Sequence, residues 1–165
     1  MERQLHPTLT ELAPLLGIWS GRGNGTYPTI TDFDYLEEVV FSHVGKPFLS
    51  YGQRTCSVTG DMPLHTETGY LRVPAPGRIE WILAHPTGIT EIEVGSYRVT
   101  GTGVELRTSA SMIGQSPSAK EVTVVSRAYC VRGDELSYTL AMAAVGQPEC
   151  DHLAATLSRT PPNIG

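Results

Sequence analysis

From Gly17 onward, short runs rich in branched and aromatic residues alternate with clusters of glycine, proline, asparagine and aspartate. Runs of this length, each bounded by a turn signal, predict strands. The strand-like stretches are Ile18–Arg22, Asp34–Ser42, Leu49–Ser57, Leu64–Val73, Arg78–His85, Gly88–Val94, Ser96–Thr100, Gly103–Ser111, Lys120–Arg132, Glu135–Val145 and Asp151–Arg159. Turn signals such as Gly45-Lys46-Pro47, Thr59-Gly60-Asp61, Pro74-Ala75-Pro76-Gly77 and Arg132-Gly133-Asp134 separate them. The only helical hint is one short turn after Pro7, which Pro14 is expected to stop. About ten strands joined by tight connections describe a meander. Such a meander protects its edges best by closing, so the fold expected is all-β, a closed antiparallel up-and-down barrel. A barrel wider than about eight strands cannot fill its middle with ordinary side chains, so a cavity is expected.

Composition narrows the reading. The 165 residues include 17 glycines and 12 prolines, too many for a helical bundle and natural for strands and turns. The length fits one domain over residues 1–165, with no linker or repeat. The net charge is −5 with no cluster of Lys and Arg, which argues against a nucleic-acid partner. No apolar run approaches the length of a membrane span, and the first residues lack the apolar core of a signal peptide. Cys56, Cys130 and Cys150 are odd in number, form no CxxC pair and read as reduced thiols. The expected setting is cytoplasmic, with neither membrane nor nucleic-acid contact.

The glycine-rich stretch Gly17–Ile30 invites a dinucleotide-loop reading. Thr26 stands where the third glycine of that loop belongs and no helix pattern follows, so the reading fails. Glycines 21, 23 and 25 share one strand face, which permits a barrel bend or the close approach of another backbone. The order Gly17-x-Trp19-x-Gly21-x-Gly23, then Tyr27-Pro28-Thr29, resembles the nitrobindins, haem-carrying β-barrels related to fatty-acid-binding proteins and so to the calycins. Tyr35-Leu36-Glu37-Glu38, His43-Val44-Gly45-Lys46-Pro47, His65-x-Glu67-x-Gly69-Tyr70-x-Arg72 and His152-Leu153-x-Ala155-x-Leu157 follow in the family's order.

The resemblance implies a haem b in a surface crevice, with iron held by His152 on the last strand. Strict alternation puts His152 with Ala154, Thr156 and Ser158 on one face, and Leu153, Ala155, Leu157 and Arg159 on the other. By pattern alone His152 is a surface histidine on a polar face; the resemblance makes it the axial ligand. His65 is placed near the open side of the haem, where it either donates a hydrogen bond to a bound ligand or crowds the iron. Lys120 is a partner for a haem propionate or a solvated lysine, and Thr29 is a hydroxyl candidate for the same role. His43 and His85, at strand ends, read as structural, and His6 as disordered surface. Trp19 and Arg159 are expected to meet at one barrel end, away from the haem.

The activity implied is isomerisation of peroxynitrite to nitrate at ferric haem, together with nitric oxide binding, by a monomer or homodimer. Two other readings stay open. One is a carrier of a fatty acid or other apolar ligand, for which no carboxylate-holding arginine is evident and Arg107 and Arg127 are no more than candidates. The other is a haem-based nitric oxide sensor or carrier without turnover.

Overall fold

The computed structural model describes residues 3–161, so both expected domain limits lie outside the described residues. Ten antiparallel strands form a closed barrel in chain order. They are β1 (Gly17–Tyr27), β2 (Ile30–His43), β3 (Phe48–Ser57), β4 (Pro63–Ala75), β5 (Arg78–His85), β6 (Ile89–Thr100), β7 (Gly103–Gln115), β8 (Val122–Arg132), β9 (Glu135–Ala144) and β10 (Cys150–Arg159). Each strand pairs with its neighbours in sequence, and β10 closes on β1 from Trp19↔Arg159 to Gly25↔Leu153. Closure leaves no unpaired edge.

Gly88–Val94 and Ser96–Thr100 are one strand. Gly95 does not break it: it pairs with Ile79 and Thr108, and a Cβ there would lie 1.9 Å from the Arg107 carbonyl oxygen. The three glycines of β1 have two uses, of which only the first, at Gly21, is the close backbone approach expected. Gly21 gives room to the backbone of β10, but Gly23 and Gly25 lie under the rings of their β2 partners Tyr35 and Phe33. Aromatic rings here cover the gaps that glycines leave in the sheet.

The two ends differ. A 3₁₀ helix, Pro7–Leu15, crosses one end with Pro14 inside it, so Pro14 does not stop it. Leu9, Leu12 and Leu15 fall on one face of this three-residue period, and all are fully buried. His6 is ordered as its N-cap, accepting from the Thr8 amide. Trp19 donates from Nε1 to the Leu15 carbonyl at 2.8 Å, and the Arg159 guanidinium lies 4.1 Å above the Trp19 ring centre, as the sequence suggested. This end is shut.

Midway along the barrel, Phe41, Tyr51, Trp81, Tyr129 and Tyr138 pack ring against ring, with Tyr129 stacked on Tyr138 and Trp81 edge-on to Tyr51 and Tyr129. The central cavity expected of so wide a barrel is occupied by these rings. The other end, ringed by the β1–β2, β3–β4, β5–β6, β7–β8 and β9–β10 connections, holds His65, His85 and His152. Among the described residues no helix is long and apolar enough to cross a membrane.

Candidate functional site

His152 reaches the open end through an irregularity that alternation does not foresee. The outward face of β10 carries exposed Thr156 and Ser158, and the inward face carries buried Ala155 and Leu157. Strict alternation would therefore turn His152 outward with Thr156. A bulge between Asp151 and Leu153 shifts the register against β9, and His152 is half-buried. The face of small side chains expected to receive the macrocycle beside His152 is instead the barrel's outside.

The imidazole is held from two sides. Its Nδ1 lies 2.9 Å from the carbonyl oxygen of Thr26, which can only accept, so Nδ1 carries the proton. The Tyr27 ring meets it edge-on, with centroids 5.3 Å apart. Tyr27 is itself fixed, because its hydroxyl receives the Ala144 amide at 2.7 Å and donates to the Ala144 carbonyl. Burial lowers the pKa of His152; the Thr26 carbonyl opposes this and the charge of His65 reinforces it. The result is a neutral imidazole whose Nε2 lone pair is left free. Half-buried Ile113, Val122, Met142 and Leu153 supply apolar surface around this end.

The other sequence candidates share the same end. His65 opens β4, faces inward and is one-third exposed; it lines an open cleft of about 580 Å³. Lys120 lies exposed in the β7–β8 connection and Thr29 exposed in the β1–β2 turn. The described residues show no ion pair or hydrogen bond from either side chain. His43 accepts from the Gly45 amide at the opposite end, a structural role as expected.

Beneath the histidines lies a layer that the sequence reading missed. Arg127, buried, donates to Glu67, Glu91 and Glu93, all of them buried. Glu67 also accepts from the Tyr51 hydroxyl at 2.6 Å. Burial pushes the Glu67 carboxyl up, but Arg127, His65, His85 and the Tyr51 hydroxyl outweigh it and hold it at about 2. His85, expected to be structural, is buried among these groups: its Nδ1 lies 3.2 Å from both His65 Nε2 and Glu67 Oε2. Alternation along β5 from buried Ile79, Trp81 and Leu83 was the signal that placed it inside. Arg107, the other candidate for a fatty carboxylate, is exposed.

A family model described as the THAP4-like, heme-binding beta-barrel domain matches residues 8–159, nearly all of the barrel. The chain belongs to this family. This haem-binding barrel is 65% identical over 159 residues to peroxynitrite isomerase 1 of Mycolicibacterium paratuberculosis, spanning 96% of this chain and 99% of that protein. It is 64% identical, over the same shares, to peroxynitrite isomerase 2 of Mycobacterium avium. Its structure resembles the crystal structure of Rv2717c from M. tuberculosis with a TM-score of 0.93 and 61% identity, covering 95% of this chain and 99% of that one. The resemblance to the nitrobindins therefore holds, and haem is the family's cofactor. The open end fits that group: a neutral imidazole with its Nδ1 proton already committed, a free Nε2, and apolar side chains beside it.

Proposed function

We propose that this barrel binds haem b at its open end through His152 Nε2 and there isomerises peroxynitrite to nitrate. The observation that carries the reading is the His152–Thr26 contact, which fixes the tautomer whose Nε2 is free to ligate iron. The family's haem-binding description and the peroxynitrite isomerase relatives support it. The cysteines form no C-x-x-C-H attachment motif, which supports a non-covalent haem of the b type. When bound, haem would supply a Lewis-acidic iron able to take peroxynitrite or nitric oxide.

The chain's own groups do the rest. Thr26 and Tyr27 orient the ligating imidazole, and its low basicity keeps it unprotonated at neutral pH. Ile113, Met142 and Leu153 keep water from one side of the crevice. His65, at the cleft, presents an imidazole N–H to an anionic ligand on the open side. Lys120 and Thr29, exposed at the rim, would offer the haem propionates a cation and a hydroxyl.

A fatty-acid carrier would need a free interior cation for the carboxylate. Arg127 already faces three buried carboxylates, and an added one would sit in a site of like charge. The geometry therefore favours haem over a fatty acid. The test is stopped-flow mixing of peroxynitrite with ferric, haem-loaded protein. Decay should accelerate in proportion to protein and end in nitrate; decay no faster than in buffer overturns the activity.

A further inference from the structure

Alternation along β4 turns His65 and Glu67 into the barrel, and alternation along β5 turns His85 toward them. Three potential ligand atoms converge there. His65 Nε2 and His85 Nδ1 are 3.2 Å apart, His85 Nδ1 and Glu67 Oε2 are 3.2 Å apart, and His65 Nε2 and Glu67 Oε2 are 3.8 Å apart. These separations leave a point about 2.0 Å from all three atoms, the usual bond length from zinc to imidazole nitrogen or carboxylate oxygen.

From this convergence we propose that His65, His85 and Glu67 form a divalent-metal site, of the zinc class, separate from the haem iron. Two imidazoles and one carboxylate select zinc or a similar transition metal over calcium or magnesium, which prefer oxygen alone. The side chains of His85 and Glu67 are 7% and 8% exposed, while His65 is 33% exposed and lines the open cleft. Two ligands are thus fixed in the interior, and the cleft admits water to complete the tetrahedron.

Two independent features support a cation here. The first is charge. Arg127 is surrounded by Glu67, Glu91 and Glu93, so three buried carboxyl groups face one guanidinium. A divalent ion between the two histidines and Glu67 adds positive charge to this carboxyl-rich layer. The second is His85 Nε2, a buried ring nitrogen that completes no hydrogen bond although Glu91 Oε1 lies 3.1 Å away. Metal on Nδ1 leaves the ring proton on Nε2, facing Glu91, in the usual carboxylate–histidine–metal order. Glu67 has the matching support, since its other oxygen accepts from Tyr51. His65 would bind the metal through Nε2 and keep its Nδ1 proton.

The experiment is calorimetric titration of zinc chloride into haem-loaded protein, in which the haem proposal gives His152 to iron. One zinc per chain should bind saturably. His85→Gln and Glu67→Gln should each weaken binding by about 100-fold, while His43→Ala, at the far end of the barrel, leaves it unchanged. Circular dichroism confirms that each variant is folded before titration. The His152→Ala protein should bind the same single zinc without haem, so the outcome stands apart from the haem assignment. No saturable one-to-one binding, or binding that survives both His85→Gln and Glu67→Gln, overturns the site.

Discussion

His152 holds the Thr26 carbonyl oxygen from Nδ1 at 2.9 Å, just beyond Gly25↔Leu153, the last pair of the β1–β10 ladder. A side chain thus takes over where the backbone pairing ends, and the same bond leaves Nε2 free for iron. Burial holds this imidazole below its ordinary value of 6.5. A depressed folded pKa means that the unfolded chain takes up the proton first. The stability this histidine contributes is complete above pH 6.5 and is lost as pH falls below it. Haem affinity should likewise stay level down to about pH 6.5 and decline only below that. An absorbance titration across pH 5–8 checks this; a decline beginning above 6.5 contradicts it.

Arg127 faces three buried carboxyl groups in its layer, so removing it should leave a large defect in the interior. Arg127→Met should cost about 3–5 kcal/mol at pH 7, because uncompensated charges stay buried. In the parent protein, Glu67 at about 2 stabilises the fold above its ordinary 4.5, and this is lost as pH falls toward 2. Without Arg127 the sign reverses, because the buried carboxyls then favour the protonated form. Urea unfolding should find the variant more stable at pH 5 than at pH 7, and the opposite order would refute the assignment.

At the shut end, Arg159 donates to the carbonyls of Leu16 and Pro14 and to Asp134 while covering Trp19. Arg159→Ala should lower stability by about 2–4 kcal/mol. Haem affinity should hardly change, since the open end is formed by the opposite connections. Thermal melts and haem titrations of the same variant check both halves.

Gly23 and Gly52 make a paired test of glycine function. A Cβ at Gly23 would lie 2.3 Å from the Tyr35 ring, and Tyr35 is buried with its hydroxyl bonded to Tyr138 at 2.9 Å. Gly23→Ala should cost about 1–3 kcal/mol as that ring is displaced. At Gly52 a Cβ meets nothing within 4 Å, so Gly52→Ala should be neutral or stabilising by about 0.5 kcal/mol. Equal losses at both positions would contradict the ring-over-glycine packing.

The barrel was legible because its turns are punctuated and its strands are rich in branched residues; Arg78–His85 is read to the residue. Strand ends beyond polar residues were not, as at Ile30–Phe33 and Met112–Gln115, where the ladder extends pairing that side-chain pattern does not signal. The ionic layer was hidden for a sharper reason. Along β6, Ile92 and Val94 are exposed while Glu91 and Glu93 are buried, the reverse of what an apolar pattern says about inside and outside. Only Arg127, four strands of sequence away from Glu67 and paired through space, makes that inversion tolerable. His152 was named from family resemblance, and the bulge that turns it inward has no signature in Asp151-His152-Leu153.

The most direct test of the account is a haem titration of the parent protein against His152→Ala, with His65→Ala beside them. The parent should bind one haem per chain with a Soret band typical of histidine ligation. His152→Ala should lose stable haem binding while keeping its circular dichroism, because a strand tolerates alanine there. His65→Ala should retain haem. A His152→Ala protein that binds haem as tightly as the parent, with an unchanged Soret band, would show that iron is held elsewhere.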